Sequence, residues 1–192
     1  MPRFLLTLCL GAGLLSCAPG TRKNDNQVID IDSLIDLQLV QFDRLKPTLH
    51  KQGGVNETVS DTTFSPSSYG WKSELEIFRS LGVLNQPVYS GAFLTEGPLD
   101  DPRSNLMILQ YSLKEAPLKW LKVYYQDEPG RIRQVEGQVE DLTPLNASSR
   151  RLTLWFDDVS GLTTLSRYEI NGYQKVALRD TVKFMIKGTV LW

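Results

Sequence analysis

The chain has 192 residues, one domain's worth of material, of which 41% are hydrophobic and 22% charged. Its 21 basic and 22 acidic residues give a net charge of −1, which offers no basic face for phosphate backbones and argues against a nucleic-acid partner. Both cysteines, Cys9 and Cys17, lie near the N-terminus, so the body carries no disulfide and no thiolate metal site, and its stability rests on buried apolar surface.

Met1-Pro2-Arg3 is a short positive start, and Phe4 to Leu15 is an apolar run broken only by Thr7, Gly11 and Gly13. A bilayer-spanning helix takes roughly 20 apolar residues, so this run has the size of a signal-peptide core instead. It ends in Leu14-Leu15-Ser16-Cys17, which resembles the lipobox of bacterial lipoproteins: an aliphatic residue, a tolerant position, a small residue, then cysteine. The resemblance implies a signal peptide over 1–16, removed before Cys17, and acyl chains such as palmitate on the cysteine. It also implies a place in the cell envelope. Ala18 stands where the inner-membrane retention signal of many such lipoproteins has Asp, so the same resemblance favours the outer membrane. The competing reading is an ordinary secretory signal cut after Ala18, since Ser16 and Ala18 are small residues two apart.

Residues 17–29 form a lipidated cysteine and polar tether, and 30–192 a single domain. Asp32 or Ser33 is placed to cap a helix over about 33–46, with Ile31, Ile35, Leu39, Phe42, Leu45 and Leu49 at steps of three or four marking its apolar face. Pro47 ends it. Gln52 to Gly70 is rich in Gly, Ser, Thr and Asn and reads as a long loop. Trp71, Leu75 and Phe78 mark a second helix over about 71–81, closed by Gly82. One strand is expected near Val88–Phe93.

From Asn105 the runs become strand-like: 106–113, 118–126, 131–140, 150–156, 162–170, 173–178 and 182–192. Glu128-Pro129-Gly130 suits a turn with Gly at positive φ, Asp157 to Gly161 is another, and Asn171-Gly172 reads as a hairpin tip. Connections this short join antiparallel neighbours. In the last run Val182, Phe184, Ile186, Val190 and Trp192 alternate with Lys183, Lys187 and Thr189, one dry face against one wet. The expected fold is α+β: an antiparallel meander of about seven strands, flat or curled, covered by two N-terminal helices.

No residue pattern specifies catalysis or a cofactor. His50 is the only histidine, which argues against a zinc site, and no G-x-S-x-G accompanies it; a polar role near the helix end is its expected part. Asp100-Asp101 and Asp157-Asp158 read as solvated turn residues, although a hydrolase would need two carboxylates about 5–10 Å apart. Asp30-Ile31-Asp32 opens like a calcium loop but lacks the glycine and closing glutamate. Asp32-Ser33-Leu34, Asp61-Thr62-Thr63 and Asp180-Thr181-Val182 resemble an O-glycosylation signal of some Gram-negative envelope proteins, with Thr62 the comfortable acceptor.

The candidate ligand or partner surface is Arg131, Arg133, Trp120 and Trp155. The arginines are expected on the face of Val135 and Val139, where they would meet an anionic head group or snorkel into water. Tryptophan is enriched at interfaces. A membrane barrel is disfavoured, because Arg131 to Glu140 offers no apolar lipid-facing band.

The order lipobox, tether, helices and sheet resembles uncharacterised lipoproteins of Gram-negative bacteria. More loosely, it is similar to half-barrel lipoprotein carriers. The expected function is that of a non-enzymatic, membrane-anchored envelope lipoprotein binding a lipid, a glycan or an envelope protein. The alternatives are a structural or assembly subunit of an outer-membrane complex and a carboxylate-dependent hydrolase. A filled helix–sheet interface would favour the subunit, and an apolar cavity of a few hundred cubic ångströms the carrier.

Overall fold

The structure, a computed structural model, describes residues 29–192 apart from Glu57 and Ser160. The lipobox and the tether up to Val28 lie outside the described residues. Helix α1 spans Ile31–Leu45. It starts two residues earlier than expected because Asp30 is the cap: its carboxylate accepts from the Ser33 N–H at 3.0 Å and the Ser33 hydroxyl at 2.6 Å. Asp32 instead turns to Arg79. The helix ends at Lys46, whose φ of +48° breaks the spiral just before Pro47 removes the next donor.

The expected loop over 52–70 is instead a hairpin. Strands β1 (Thr48–Val55) and β2 (Thr58–Phe64) pair antiparallel, and β1 also pairs with the last strand. The small polar residues that suggested a loop suit an edge strand, whose side chains all remain in water. Thr62 is therefore a strand residue. Helix α2 covers Ser68–Leu75, capped by Ser67, and passes into a 3₁₀ stretch over Glu76–Asn85. Gly82 does not close it. The strand expected at Val88–Phe93 lies one step on, as β3 (Leu94–Asp100), because Pro87 opens a short 3₁₀ turn through Tyr89.

Six strands follow: β4 (Met107–Ser112), β5 (Leu118–Tyr125), β6 (Ile132–Leu142), β7 (Asn146–Val159), β8 (Leu162–Val176) and β9 (Val182–Leu191). The sheet has the order β2-β1-β9-β8-β7-β6-β5-β4-β3 and is antiparallel throughout. It is open, with nine strands where seven were expected. The Asn171-Gly172 hairpin tip does not exist. Both residues sit inside β8, which runs unbroken between β7 and β9. Gly172 is there for close approach: a Cβ would come within 2.6 Å of the Ser149 carbonyl and 2.7 Å of the Phe184 ring. The true turn is Ala177–Thr181. In the β5–β6 turn it is Asp127, at φ +58°, and not Gly130, that takes the left-handed conformation.

The helical layer covers one face of the sheet; buried side chains pack the centre of the interface, and at one end Val88, Tyr89, Leu113 and Ala116 line a groove of about 760 Å³. Ile31, Ile35 and Phe42 of α1, Trp71 and Leu75 of α2, and Phe78 and Leu81 beyond it pack on Leu49, Leu121, Val135, Leu152 and Tyr168. Leu45, expected on the apolar face, points to water, whereas Gln38 and Gln41 are buried. Gln38 completes the sheet. Its Oε1 accepts from the Leu165 N–H at 2.7 Å and its Nε2 donates to the Thr163 carbonyl at 3.1 Å. These backbone groups lie beside the bulge where the β7–β8 register shifts, so the side chain supplies bonds the ladder drops there. In β9 the alternation holds from Lys183 to Val190: Phe184 and Ile186 pack half-buried against the core margin, Val190 is buried and Lys183 exposed, whereas Val182 and Trp192, expected on the dry face, are exposed.

Gln38→Leu keeps most of the volume but strips two buried backbone groups of their partners. It should cost about 1–3 kcal/mol in urea unfolding. Leu37→Ala, one residue away on the exposed side, should stay within about 0.5 kcal/mol. Equal costs would refute the role given to Gln38.

Candidate functional site

Among the described residues only the β3–β4 loop lies over the sheet face turned away from the helices, and strand register assembles a candidate site on it. Residues directly opposite one another fall into rows across the sheet. One row reads Tyr124, Gln134, Trp155, Arg167, Thr189 and His50 from β5 to β1. The next reads Lys122, Glu136, Thr153, Glu169, Lys187 and Gln52. A third carries Trp120, Gln138, Arg151 and Asn171. In the middle row a lysine stands beside each carboxylate, Lys122 opposite Glu136 and Lys187 opposite Glu169. Lys187 stands 3.9 Å from Glu169, and Arg151 reaches diagonally to Glu136 at 3.7 Å.

Cations dress both tryptophans. The Arg167 guanidinium lies 4.1 Å from the centre of the Trp155 ring. Lys122 and Arg151 each stand 5.6 Å from that of Trp120. Such contacts keep a large apolar ring tolerable at a wet surface. Burial lifts the Tyr124 hydroxyl above its ordinary pKa, and the neighbouring Glu136 carboxylate adds to this. Tyr124 therefore stays a neutral donor.

The β3–β4 loop overhangs this face and divides it. On one side lies a groove of about 720 Å³ lined by Trp155, Arg133, Arg167, Gln126 and Thr189. On the other lies one of about 630 Å³ lined by Trp120, Lys122, Tyr124, Glu136 and Arg151. Asp101 builds the overhang by accepting from the Arg103 N–H and the Ser104 hydroxyl.

Three of the four residues singled out from sequence meet here: Trp120, Trp155 and Arg133. The fourth does not line either groove, since Arg131 is held by Asp127 at the β5–β6 turn. The arginines are also not on the face of Val135 and Val139. A register shift pairs Gln134 with Tyr124 but Ile132 with Tyr125, so Ile132 takes the buried place and Arg133 lies outward. There its guanidinium donates to Gln126 Oε1 at 2.9 Å. Arg151, Arg167 and Lys122 were missed because only the cross-strand register places them beside a tryptophan. His50 is not near the helix end; it lies in β1, hydrogen-bonded with Thr63 Oγ1 at 2.9 Å.

Among the described residues no three His, Cys, Asp or Glu side chains gather as a metal site. The two carboxyls with displaced pKa values, Asp30 and Asp43, are both lowered, Asp30 by its bonds to Ser33 and Asp43 by Lys46 and Ser68. A general acid needs the opposite shift. Asp157 and Asp158, expected in a turn, lie at the end of β7 and pair with Thr164 and Thr163 of β8, and Asp158 also accepts from the Gly161 N–H at 2.8 Å. Comparisons with protein-family models, curated proteins and solved structures found no match to this chain.

Arg167→Ala should cost no more than about 1 kcal/mol, the range of an exposed cation–π contact. Trp71→Ala, in the sealed layer, should cost about 3–5 kcal/mol. Urea unfolding followed by far-UV circular dichroism reads both. Equal losses would place Trp155 and its partner in the core, not at a surface.

Proposed function

We propose that this protein is a non-enzymatic envelope lipoprotein, anchored through acyl chains on Cys17, that holds another envelope polypeptide on its uncovered sheet face. The observation that carries this is the pair of tryptophans, each dressed by cations, on the broad face that, among the described residues, no helix covers. Tryptophan, tyrosine and arginine are the residues that dominate protein interfaces energetically. Their placement in grooves gives a partner side chain somewhere to insert.

The packed centre of the interface between sheet and helices favours this subunit-like reading over that of a carrier enclosing an acyl chain, which would have only the open groove at the sheet's end. The lowered carboxyl groups lend nothing to a hydrolase. The lipobox and Ala18 support a lipid anchor in the outer membrane, and two or three acyl chains hold a protein there essentially permanently.

Two variants test the two halves separately. Cys17→Ala should move the protein from the membrane to the soluble periplasmic fraction; retention after a high-salt wash would contradict the anchor. Trp120→Ala/Trp155→Ala should leave the protein folded and membrane-bound but lose the polypeptides that co-purify with the wild type. Identical co-purifying sets would contradict the binding face.

A further inference from the structure

We infer that the ends of two hairpins, β6–β7 and β8–β9, are a second contact surface that dips into the interface of an anionic bilayer. This goes beyond partner binding on the sheet face and uses different residues. In an antiparallel meander alternate turns share one end of the sheet, so the β4–β5, β6–β7 and β8–β9 turns lie together. The Ala177 N–H donates to the Leu145 carbonyl at 2.9 Å, which joins the last two. This joined tip is apolar and wet. Leu142 and Leu145 are 65% and 71% exposed, and Leu178 is fully exposed.

Leu178 also sits at φ +63°. A bulky residue in the left-handed region is a backbone outlier, and turns with this geometry ordinarily take Gly, Asn or Asp. Glycine or asparagine would relieve the backbone and remove the exposed apolar side chain together. Leucine meets both costs in water, and an observed outlier of this kind points to use. Burial in the acyl boundary of a membrane would recover the apolar cost.

Two features commit the surface to a lipid bilayer. The first is charge: residues 175–183 contain Lys175, Arg179 and Lys183 against Asp180 alone, and the three basic residues are exposed. With the exposed Asp141 beside Leu142 counted as well, three cations stand against two carboxylates at the tip, and leucines with this basic excess match an anionic lipid surface. The second is where the chain enters the body. The Ile29 carbonyl accepts from Asn85 Nδ2 at 3.1 Å, and Asn85 leads into the Pro87–Tyr89 turn. That turn lines a groove with Leu113 and Ala116 of the β4–β5 turn, at the same end of the sheet. Cys17 stands twelve residues before Ile29, and so many residues reach at most roughly 40 Å. A lipid on Cys17 would thus hold this end within reach of the membrane.

The body has no cysteine of its own, so single labels are clean. Full-length lipidated protein carrying Leu178→Cys, or Leu162→Cys at the opposite end, is labelled with a polarity-sensitive fluorophore and reconstituted in phosphatidylethanolamine–phosphatidylglycerol vesicles. The label at 178 should shift to the blue and be quenched by nitroxide lipids, and the label at 162 should do neither. A label at 178 that remains in water, or equal quenching at both positions, overturns the inference and leaves the anchor untouched.

The Cys17→Ala protein with the same label isolates the tip from the acyl chains. Its vesicle binding should be reversible and salt-sensitive, and should weaken about fivefold for each of Arg179→Glu and Lys183→Glu. Binding indifferent to both charges overturns the claim that lipid head groups are the ligand. If the anchor reading alone fails, the unmodified chain behaves as this variant does, with the label at 178 still entering the bilayer at low salt.

Discussion

The helical layer can seat on the sheet because Gly188 of β9 has no side chain. The ring of Tyr168, directly opposite on β8, lies across the space that a Cβ would fill. From there its hydroxyl reaches Glu74 of α2 at 2.7 Å, and Lys51, opposite Gly188 on the other side, reaches the same carboxylate at 2.7 Å. Tyrosine, glycine and lysine therefore form one row across β8, β9 and β1, and α2 plants a carboxylate on it. Burial and the Glu74 hydrogen bond push the Tyr168 hydroxyl above its ordinary pKa, so it keeps its proton and remains a donor. A partly buried ion pair gains little by itself after desolvation, but losing one partner strands the other. The row thus fixes where the layer sits more than it adds to stability.

Gly137 repeats the device on β6, where a Cβ would come within 2.6 Å of a Leu81 methyl. Two glycines let large side chains close onto the sheet, and Gln38 repairs the ladder at the one place where β8 bulges. The result is a closely packed centre to that interface, with the groove of Val88, Tyr89, Leu113 and Ala116 left at one end. The opposite face pairs its charges in the plane of the sheet and stacks cations on its tryptophans. Its two edges differ. At β3, Pro98 and a register shift between Glu96 and Leu99 interrupt pairing, a common protection against unwanted strand addition. At β2, the charge of Asp61 is the main deterrent.

The meander was legible because interior strands must alternate or run apolar, and because short turns exclude parallel pairing. The 48–64 hairpin was not, since an edge strand exposed on both faces has no apolar period to reveal it. Asn171-Gly172 misled for a related reason. Glycine serves both tight turns and close approach, and only the neighbouring Phe184 and Arg150 distinguish the two uses. Trp120, Trp155 and Arg133 could be chosen from sequence as candidates. Their companions could not, because the pairing of Trp155 with Arg167 depends on register, and the outward place of Arg133 depends on a bulge.

The molecule divides into a packed face that organises the fold and an opposite face that we propose meets a partner. Oxidative footprinting of tryptophan, read by mass spectrometry on intact envelopes and on the purified protein, tests that division directly. Trp71 should resist oxidation in both settings. Trp120 and Trp155 should react in the purified protein and be protected in the envelope. Equal reactivity of Trp120 and Trp155 in the two settings would contradict the account, because the face assigned to a partner would then stand bare where the protein works.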